Sequence, residues 1–305
     1  MRIASLLPSA TEIVAALGLA DSLVGRSHEC DYPAGVESLP VLTAPKLDSS
    51  RASGQIDRDV RAILADGLSV YDVDAELLRR LKPDVIVTQS QCELCAVSER
   101  DVEQAVADWV GSRPAVLSLS PMRLDDIFSD IEAAAELLDA KPRGAELVAR
   151  LKRDMGRTAE RTADLERKRV FFMEWIEPLM GAGNWMPAIW RAAGGEIVLG
   201  ADGEHSPECG WDQLVEAQPD VVVAGPCGFD IARTRRELES GLQRRPQWRE
   251  LRAVARGDVF IVDGNQYYNR PGPRVAEAAR IAAEILHPDR FQPTFQGAGW
   301  QRYEG

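Results

Sequence analysis

Two cysteines separated by two residues follow an apolar run that reads as a buried strand. The run is Val85 to Thr88, and Cys92 and Cys95 come after it in the segment QSQCELC. Thiolates bind soft and borderline metal ions and hold Fe–S clusters. A zinc knuckle needs a second pair of ligands at similar spacing, and a redox pair would begin a helix, whereas the next helix cap is Ser98. The spacing therefore predicts loop thiols that are available to a metal, a cluster or a metal-containing ligand.

The other three cysteines also flank predicted elements. Cys30 follows the second strand, Cys227 follows the strand Val221 to Ala224, and Cys209 precedes a helix. Open α/β sheets bind ligands beyond the carboxyl ends of their strands, which places all five thiols at one cleft. The predicted metal ligands are Cys30, Cys92, Cys95, Cys209 and Cys227. The alternative is that each thiol is a small buried hydrophobic side chain.

Aromatic and polar residues in the same loops would suit a broad, flat ligand. Rings can stack on a planar macrocycle, and amide or guanidinium groups can bind its polar side groups. The aromatic candidates that follow or flank strands are Tyr32, Trp175, Trp185, Trp211, Tyr267 and Tyr268. His28, Asn269 and Arg270 are the polar candidates. The alternatives are core packing for the rings and a loop hydrogen bond for His28.

Short apolar runs alternate with helical patterns along the chain. This alternation predicts parallel sheets in an α/β fold. The predicted strands are Arg2 to Leu7, Leu23 to Gly25, Val85 to Thr88, Ala115 to Leu119, Val170 to Glu174, Val221 to Ala224 and Val259 to Val262. Ser9 to Glu12 reads as a capping box, and Asp74 to Leu81 reads as a second helix.

The middle of the chain departs from this alternation. From Pro142 to about Glu166, apolar residues recur at three- and four-residue steps, which predicts one helix of about 24 residues, roughly 36 Å long. We therefore predict an N-terminal α/β lobe at 1–120, a connecting segment at 121–168, a C-terminal α/β lobe at 169–291 and an irregular tail at 292–305.

Composition excludes several classes of protein. The formal net charge is −12, and no basic block interleaved with aromatics is present, which argues against nucleic acid as a partner. No window approaches the roughly 18 to 20 apolar residues of a membrane span. The first residues lack the apolar core of a signal peptide, so the sequence predicts a cytoplasmic protein, or a periplasmic one if the true start lies upstream. No catalytic motif is present, which favours binding over catalysis.

An ordered set of motifs resembles the cobalamin- and siderophore-binding proteins of ABC importers. The opening segment RIASLLPSATEIVAALGLADSLVGRSHECDYP carries the strand, the Pro-Ser-Ala-Thr-Glu helix start and the Asp-Tyr-Pro turn. Further matching segments are Leu81 to Ile86, Gly194 to Glu196, Gln218 to Val222, Arg270 to Arg274 and Leu286 to Pro288. The resemblance covers about residues 2 to 291, but the insertion around residues 44 to 70 and the cysteines are departures from it.

The resemblance implies two Rossmann-like lobes with parallel sheets, joined by a long rigid helix, with the ligand held in the cleft between them. It implies non-catalytic binding of a corrinoid, either cobalamin or a precursor, with no required cofactor. Pro8 and Ser9, at the first helix start, then join the predicted ligand-binding residues. It further implies an ABC permease as partner, docked through Glu99 and Asp212.

Two alternatives stay open from the sequence. One is binding of another metal chelate, such as haem or a siderophore. The other is a cytoplasmic metal or Fe–S protein, including an enzyme, that holds zinc or a cluster on its cleft cysteines.

Overall fold

The chain folds into two compact units, each built around its own sheet. The computed structural model describes residues 1–65, 69–90, 102, 105–106, 113–242 and 245–304. The N-terminal unit comprises residues 1–51, 55–121 and 125–149, and the C-terminal unit comprises residues 52–54, 122–124 and 150–305. Both combine parallel strands with helices, which confirms the predicted α/β class.

The N-terminal unit contains a parallel four-stranded sheet in the order β2-β1-β5-β6. Its strands are β1 (Ile3–Ser5), β2 (Leu23–Arg26), β5 (Val85–Gln89) and β6 (Ala115–Leu119). All five residues of β5 are buried, as expected for a strand covered on both faces. A separate antiparallel pair, β3 (Thr43–Pro45) and β4 (Tyr71–Val73), flanks the segment around residues 44 to 70 that the sequence marked as an insertion.

Helices surround this sheet. They are α1 (Pro8–Ala16), α2 (Ser53–Ala65), α3 (Ala75–Leu81) and α4 (Leu124–Leu137). The helix predicted over Asp74 to Leu81 is α3, and Asp74 is its N-cap, accepting a hydrogen bond from the Leu77 N–H. The capping box predicted at Ser9 is wrong: α1 begins at Pro8, the N-cap is Leu7, and no side chain caps the helix. Proline suits this first turn because it lacks the N–H that would otherwise be unsatisfied.

The long central helix is α5 (Lys141–Thr162), 22 residues in length. It begins in the N-terminal unit and ends in the C-terminal unit, in agreement with the helix predicted from Pro142. Leu147, Val148, Leu151 and Met155 form its buried stripe. The helix ends four residues before the predicted Glu166.

The C-terminal unit contains a five-stranded sheet in the order β11-β10-β9-β7-β8. Its strands are β7 (Lys168–Met173), β8 (Gly195–Ile197), β9 (Val221–Ala224), β10 (Val259–Val262) and β11 (Trp300–Arg302). All pairs are parallel except β10 with β11, which is antiparallel. The tail predicted to be irregular thus supplies an edge strand.

The helices of this unit pack around an apolar core. They are α6 (Met186–Ala192), α7 (Trp211–Ala217), α8 (Ile231–Ser240), α9 (Pro246–Glu250), α10 (Arg252–Arg256) and α11 (Val275–Leu286), with a short π-helix at Gly264–Tyr268. Core residues include Phe171, Met173, Val222, Ala224 and Ile261. Within the described part of the chain, no helix combines the length and the apolar character that a bilayer crossing requires.

Candidate functional site

Three neighbouring strands of the C-terminal unit end at one edge of the sheet. Because β10, β9 and β7 are adjacent and parallel, the segments that follow them lie side by side. The Asn269 side chain donates to the carbonyls of Gly225, at 3.3 Å, and Gly264, at 3.0 Å. The Asn265 N–H donates to the Phe229 carbonyl at 3.1 Å. These bonds join the loops after β9 and β10 into one structure, which we call the C-terminal rim: residues 174–175, 225–230 and 263–270.

Glu174, directly after β7, is a half-buried acid on this rim. The Gly183 N–H lies 3.5 Å from its carboxylate. Burial raises the pKa of Glu174 to about 7, although hydrogen bonds from Ser206 and Gly183 act in the opposite direction. Near neutral pH this carboxyl is therefore partly protonated and can donate as well as accept a hydrogen bond.

An aromatic pair lies on the rim beside this acid. The half-buried Trp175 ring lies 5.3 Å from the Phe229 ring, centroid to centroid. The Trp175 Nε1 donates to the Glu177 carbonyl at 3.0 Å. Arg233 covers another part of the Phe229 ring, with its guanidinium carbon 3.6 Å from the centroid. The predicted ligand-facing Trp175 thus lies at a strand end, where its half-buried ring is backed by the buried Phe229.

Two other predicted tryptophans lie elsewhere in the same unit. Trp211 begins α7, is half-buried, and packs edge-on against Trp248 at 6.4 Å. Trp185 precedes α6 and is only 6% exposed. Its indole Nε1 has no hydrogen-bond partner among the described residues. Trp185 is thus a buried ring whose indole N–H makes no hydrogen bond to a described residue.

The segment after β10 carries buried charges. Arg270 and Arg274 are 4% and 6% exposed, and Asp263 is 9% exposed. Arg270 donates to the Asn265 side chain at 3.0 Å, and Arg274 donates to the Gln266 side chain at 2.6 Å. Burial raises the pKa of Asp263 to about 6, even though both guanidinium groups act to lower it. Two cations and one weakly acidic carboxyl therefore share this strand end.

The backbone of Tyr268 belongs to the C-terminal rim, but the structure places its side chain in the core. It is fully buried, its ring stacks on Trp190 at 5.9 Å, and its hydroxyl donates to the Ala278 carbonyl at 3.1 Å. Burial raises its pKa well above the usual range. Its neighbour Tyr267 is half-buried against Phe295 at 5.8 Å. Asn269, predicted to contact ligand, has its amide engaged in holding the rim loops together.

The N-terminal unit brings further predicted residues to the ends of β1 and β2. Pro8 and Ser9 begin α1 directly after β1, and Ser9 is buried with no partner for its hydroxyl among the described residues. His28, after β2, is half-buried and lies 2.7 Å from the Thr43 hydroxyl through its Nδ1. Burial, followed by the charge of Arg26, lowers the pKa of His28. Tyr32 is exposed.

The cysteines that the structure describes do not form a metal centre. Cys30 is buried in the N-terminal unit and accepts a 3.0 Å hydrogen bond from the Thr11 hydroxyl. Cys209 and Cys227 are half-buried in the C-terminal unit, and burial raises the pKa of Cys209. In the described ranges, no three His, Cys, Asp or Glu side chains gather as metal ligands. Cys92 and Cys95 lie outside the described residues, so the five-cysteine site stays a prediction.

The predicted docking acids are only partly described. Asp212 is exposed in the first turn of α7, where the helix dipole favours an acid. Glu99 lies outside the described residues. Docking through these two residues therefore stays a prediction.

Sequence reasoning did not single out Glu174, Asp263 or Arg274. The first two directly follow the apolar runs of β7 and β10, so the strand-end rule that drew attention to the cysteines could have found them. Arg274 is the N-cap residue of α11, and its hydrogen bond to Gln266 of the rim depends on the π-helix, which the sequence did not indicate.

Comparisons with known proteins agree on the kind of molecule. A family model described as periplasmic binding protein matches residues 3–265. The uncharacterized ABC transporter substrate-binding lipoprotein YvrC of Bacillus subtilis is 24% identical over 303 residues, which cover 95% of this chain and 81% of that protein. The vitamin B12-binding protein of Vibrio parahaemolyticus is 22% identical over 281 residues, covering 91% and 86% of the two chains.

A solved structure shares the fold. The periplasmic heme binding protein of Pseudomonas aeruginosa superposes with a TM-score of 0.71 at 18% sequence identity, covering 94% of this chain and 92% of that one. At this identity the likeness shows the fold alone.

Proposed function

Since the chain belongs to the periplasmic binding protein family, we propose that it binds a corrinoid, cobalamin or a precursor, and delivers it to an ABC permease. The family consists of substrate-binding proteins, not of enzymes. The observation that carries the corrinoid proposal is the match to a vitamin B12-binding protein over 91% of this chain. The permease is proposed from the relative described as an ABC transporter substrate-binding lipoprotein.

The C-terminal rim supports a ligand of this kind. A corrin is broad and largely apolar on its faces, and the half-buried Trp175 ring, packed against the buried Phe229, can stack on such a face. Its edge carries amides, which both donate and accept hydrogen bonds, and the Glu174 carboxyl can do the same near neutral pH.

Binding is tested by titrating the protein with cyanocobalamin in a calorimeter. We expect Trp175→Ala and Trp211→Ala to weaken binding by about 1 to 3 kcal/mol, while Trp175→Phe retains most of the affinity because it keeps a ring. Thermal melts of each variant separate lost binding from lost folding. Absence of any heat with cyanocobalamin and with its precursor cobinamide would refute the corrinoid proposal.

Haem is the second candidate, favoured by the buried Arg270 and Arg274 beside Asp263. Guanidinium groups pair well with carboxylates such as haem propionates, whereas the amides of cobalamin carry no charge. The comparison fold also belongs to a heme binding protein. Parallel titrations with hemin decide between the two: Arg270→Gln should weaken hemin binding strongly and cyanocobalamin binding little.

We propose that the protein acts outside the cytoplasm. One relative is named a lipoprotein and the comparison structure a periplasmic protein, so these relatives do not support the cytoplasmic location expected from the sequence. Immunoblots of fractionated cells that make the protein should detect it with the envelope or periplasmic marker. Recovery with a cytoplasmic marker enzyme would contradict this.

A further inference from the structure

The amino ends of three adjacent strands in the C-terminal sheet border a cavity. Lys168 begins β7, and Asp220 and Asp258 come directly before β9 and β10; all three residues line the cavity. Because these strands are parallel, the cavity lies at the edge of the sheet opposite the C-terminal rim. Its volume is about 440 Å³, which is within the range of small-molecule sites.

Part of the cavity wall is apolar. The Phe260 and Trp300 rings meet edge to face, with 5.8 Å between their centroids, and both line the cavity. The apolar residues of the wall, each 4 to 8% exposed, are Val221, Phe260, Ile285, Leu286 and Trp300. The surface that these core side chains leave exposed can contact the hydrocarbon part of a small ligand.

Two acids of the wall already have cationic partners. Arg280 donates to the Glu284 carboxylate at 3.1 Å. Arg302 donates to the Asp258 carboxylate, also at 3.1 Å. These pairs balance their own charges and leave Asp220 as the remaining acid among the lining residues.

Two cations of the wall have no such partner. Among the residues that the structure describes, neither the half-buried Lys168 ammonium nor the exposed Arg256 guanidinium makes a hydrogen bond or an ion pair. The remaining acid, Asp220, accepts a hydrogen bond from the Arg169 backbone N–H at 2.9 Å. Two positive charges thus line the cavity with one negative charge, in a chain whose formal net charge is −12.

Two further arginines add positive charge at this end of the sheet. The Arg169 guanidinium donates to the Ala217 carbonyl at 2.8 Å. Arg252, one helical turn before Arg256, donates to the Gln218 carbonyl at 3.4 Å. Neither Arg169 nor Arg252 forms an ion pair within the described part of the chain. The amino end of the sheet therefore carries a local excess of positive charge.

We propose that this cavity binds a small amphipathic monocarboxylate. Lys168 and Arg256 bind its carboxylate, since guanidinium and ammonium groups form charge-assisted hydrogen bonds with such an anion. Phe260 and Trp300 contact its hydrocarbon part. A single negative charge matches the excess of the two cations over Asp220, whereas that acid would oppose a phosphate dianion more strongly. The cavity belongs to the C-terminal unit alone and is separate from the proposed corrinoid contacts on the rim.

Binding is tested with octanoate, followed at the Trp300 indole N–H in ¹H–¹⁵N NMR spectra assigned with Trp300→Phe. We expect this resonance to shift with octanoate concentration and to saturate, because the ring lines the cavity. Acetate lacks the hydrocarbon chain and 1-octanol lacks the charge, so each should bind at least about 10-fold more weakly.

Substitutions test the cations. Lys168→Gln and Arg256→Gln should each weaken octanoate binding about 3- to 10-fold, because each removes one charged partner of the carboxylate. Arg249→Gln is the control: it removes the same charge from an exposed position on α9 outside the cavity wall, and should bind octanoate as the wild type does. Thermal melts of the three variants check that each remains folded.

Cyanocobalamin titrations with and without octanoate separate the two sites. We expect the same corrinoid affinity in both, since the cavity and the rim lie at opposite edges of the sheet. Octanoate that cyanocobalamin displaces, or a shift confined to other tryptophans, would overturn the proposed cavity site. Equal octanoate binding by the wild type, Lys168→Gln and Arg256→Gln would overturn it as well. The octanoate result holds whether or not the protein binds a corrinoid, so failure of one proposal leaves the other in place.

Discussion

The Trp300 indole Nε1 donates a 2.9 Å hydrogen bond to the Glu284 carboxylate, whose side chain is fully buried. The same carboxylate accepts from the backbone N–H groups of Thr294 and Phe295, both at 3.0 Å, and from Arg280 at 3.1 Å. Four donors thus converge on one acid of α11. This arrangement attaches the C-terminal segment that ends in β11.

Glu284→Gln should therefore destabilise the fold. The new amide presents hydrogens to donors that need an acceptor, and the charge that strengthens these bonds is lost. We expect a loss of about 3 kcal/mol in the free energy of unfolding, measured by urea denaturation. The exposed Glu239→Gln is the control and should change little. Equal stability of Glu284→Gln and wild type would mean that the tail contributes nothing to folding.

Tyr268 should behave as a core residue. Its ring packs against Phe172 and Trp190 with no exposed surface, so Tyr268→Ala leaves a cavity and should cost about 3 to 5 kcal/mol. Tyr268→Phe keeps the ring but loses the hydrogen bond to the Ala278 carbonyl, at a cost of about 1 kcal/mol. Chemical denaturation gives both values. A Tyr268→Ala protein with wild-type stability and weakened ligand binding would mean that Tyr268 contacts the ligand and is not a core residue.

Two glycines of α5 should respond oppositely to the same substitution. A Cβ built at Gly144 would lie 2.3 Å from the Ala135 Cβ of α4, whereas one at Gly156 meets nothing within 4 Å. Gly144→Ala should therefore separate the two helices at a cost of about 1 to 3 kcal/mol. Gly156→Ala should stabilise the protein by about 0.5 to 1 kcal/mol, since the unfolded chain loses conformational freedom. Thermal melts of the pair, run side by side, check both signs.

Glu174 should make stability depend on pH. Its folded pKa of about 7 lies above its ordinary value of 4.5 because burial disfavours the carboxylate. The folded state therefore keeps a proton that the unfolded chain has lost between pH 4.5 and 7, and stability falls as pH rises through this window. Relative to Glu174→Gln, the wild type should lose unfolding free energy between pH 5 and 8. Urea titrations at both pH values test this, with the exposed Glu216→Gln as control. Parallel curves for the wild type and Glu174→Gln would contradict the raised pKa.

The sequence by itself determined the α/β class and most of the sheet. Apolar runs predicted β6, β9 and β10 at their observed bounds, and β9 and β10 are buried throughout, as expected for strands covered on both faces. The helix period predicted α5, and the helix predicted over Asp74 to Leu81 is α3. The strand-end rule also predicted Trp175 and His28 at strand ends, where the structure has them. These signals are local, so a short window of sequence contains them.

Only the tertiary structure decided what depends on distant partners. The three-residue strands β3, β4, β8 and β11 are too short to show a period, and each exists because a neighbour supplies its hydrogen bonds. Tyr267 and Tyr268 are adjacent and chemically alike. At the end of the π-helix, however, the Tyr268 side chain lies in the core and the Tyr267 side chain is half-buried. Likewise, the 2.7 Å contact of the His28 Nδ1 depends on the Thr43 hydroxyl, 15 residues away, which reaches the ring only after β3 has formed. A side chain's depth and protonation are set by what packs against it, and that is known only once the chain has folded.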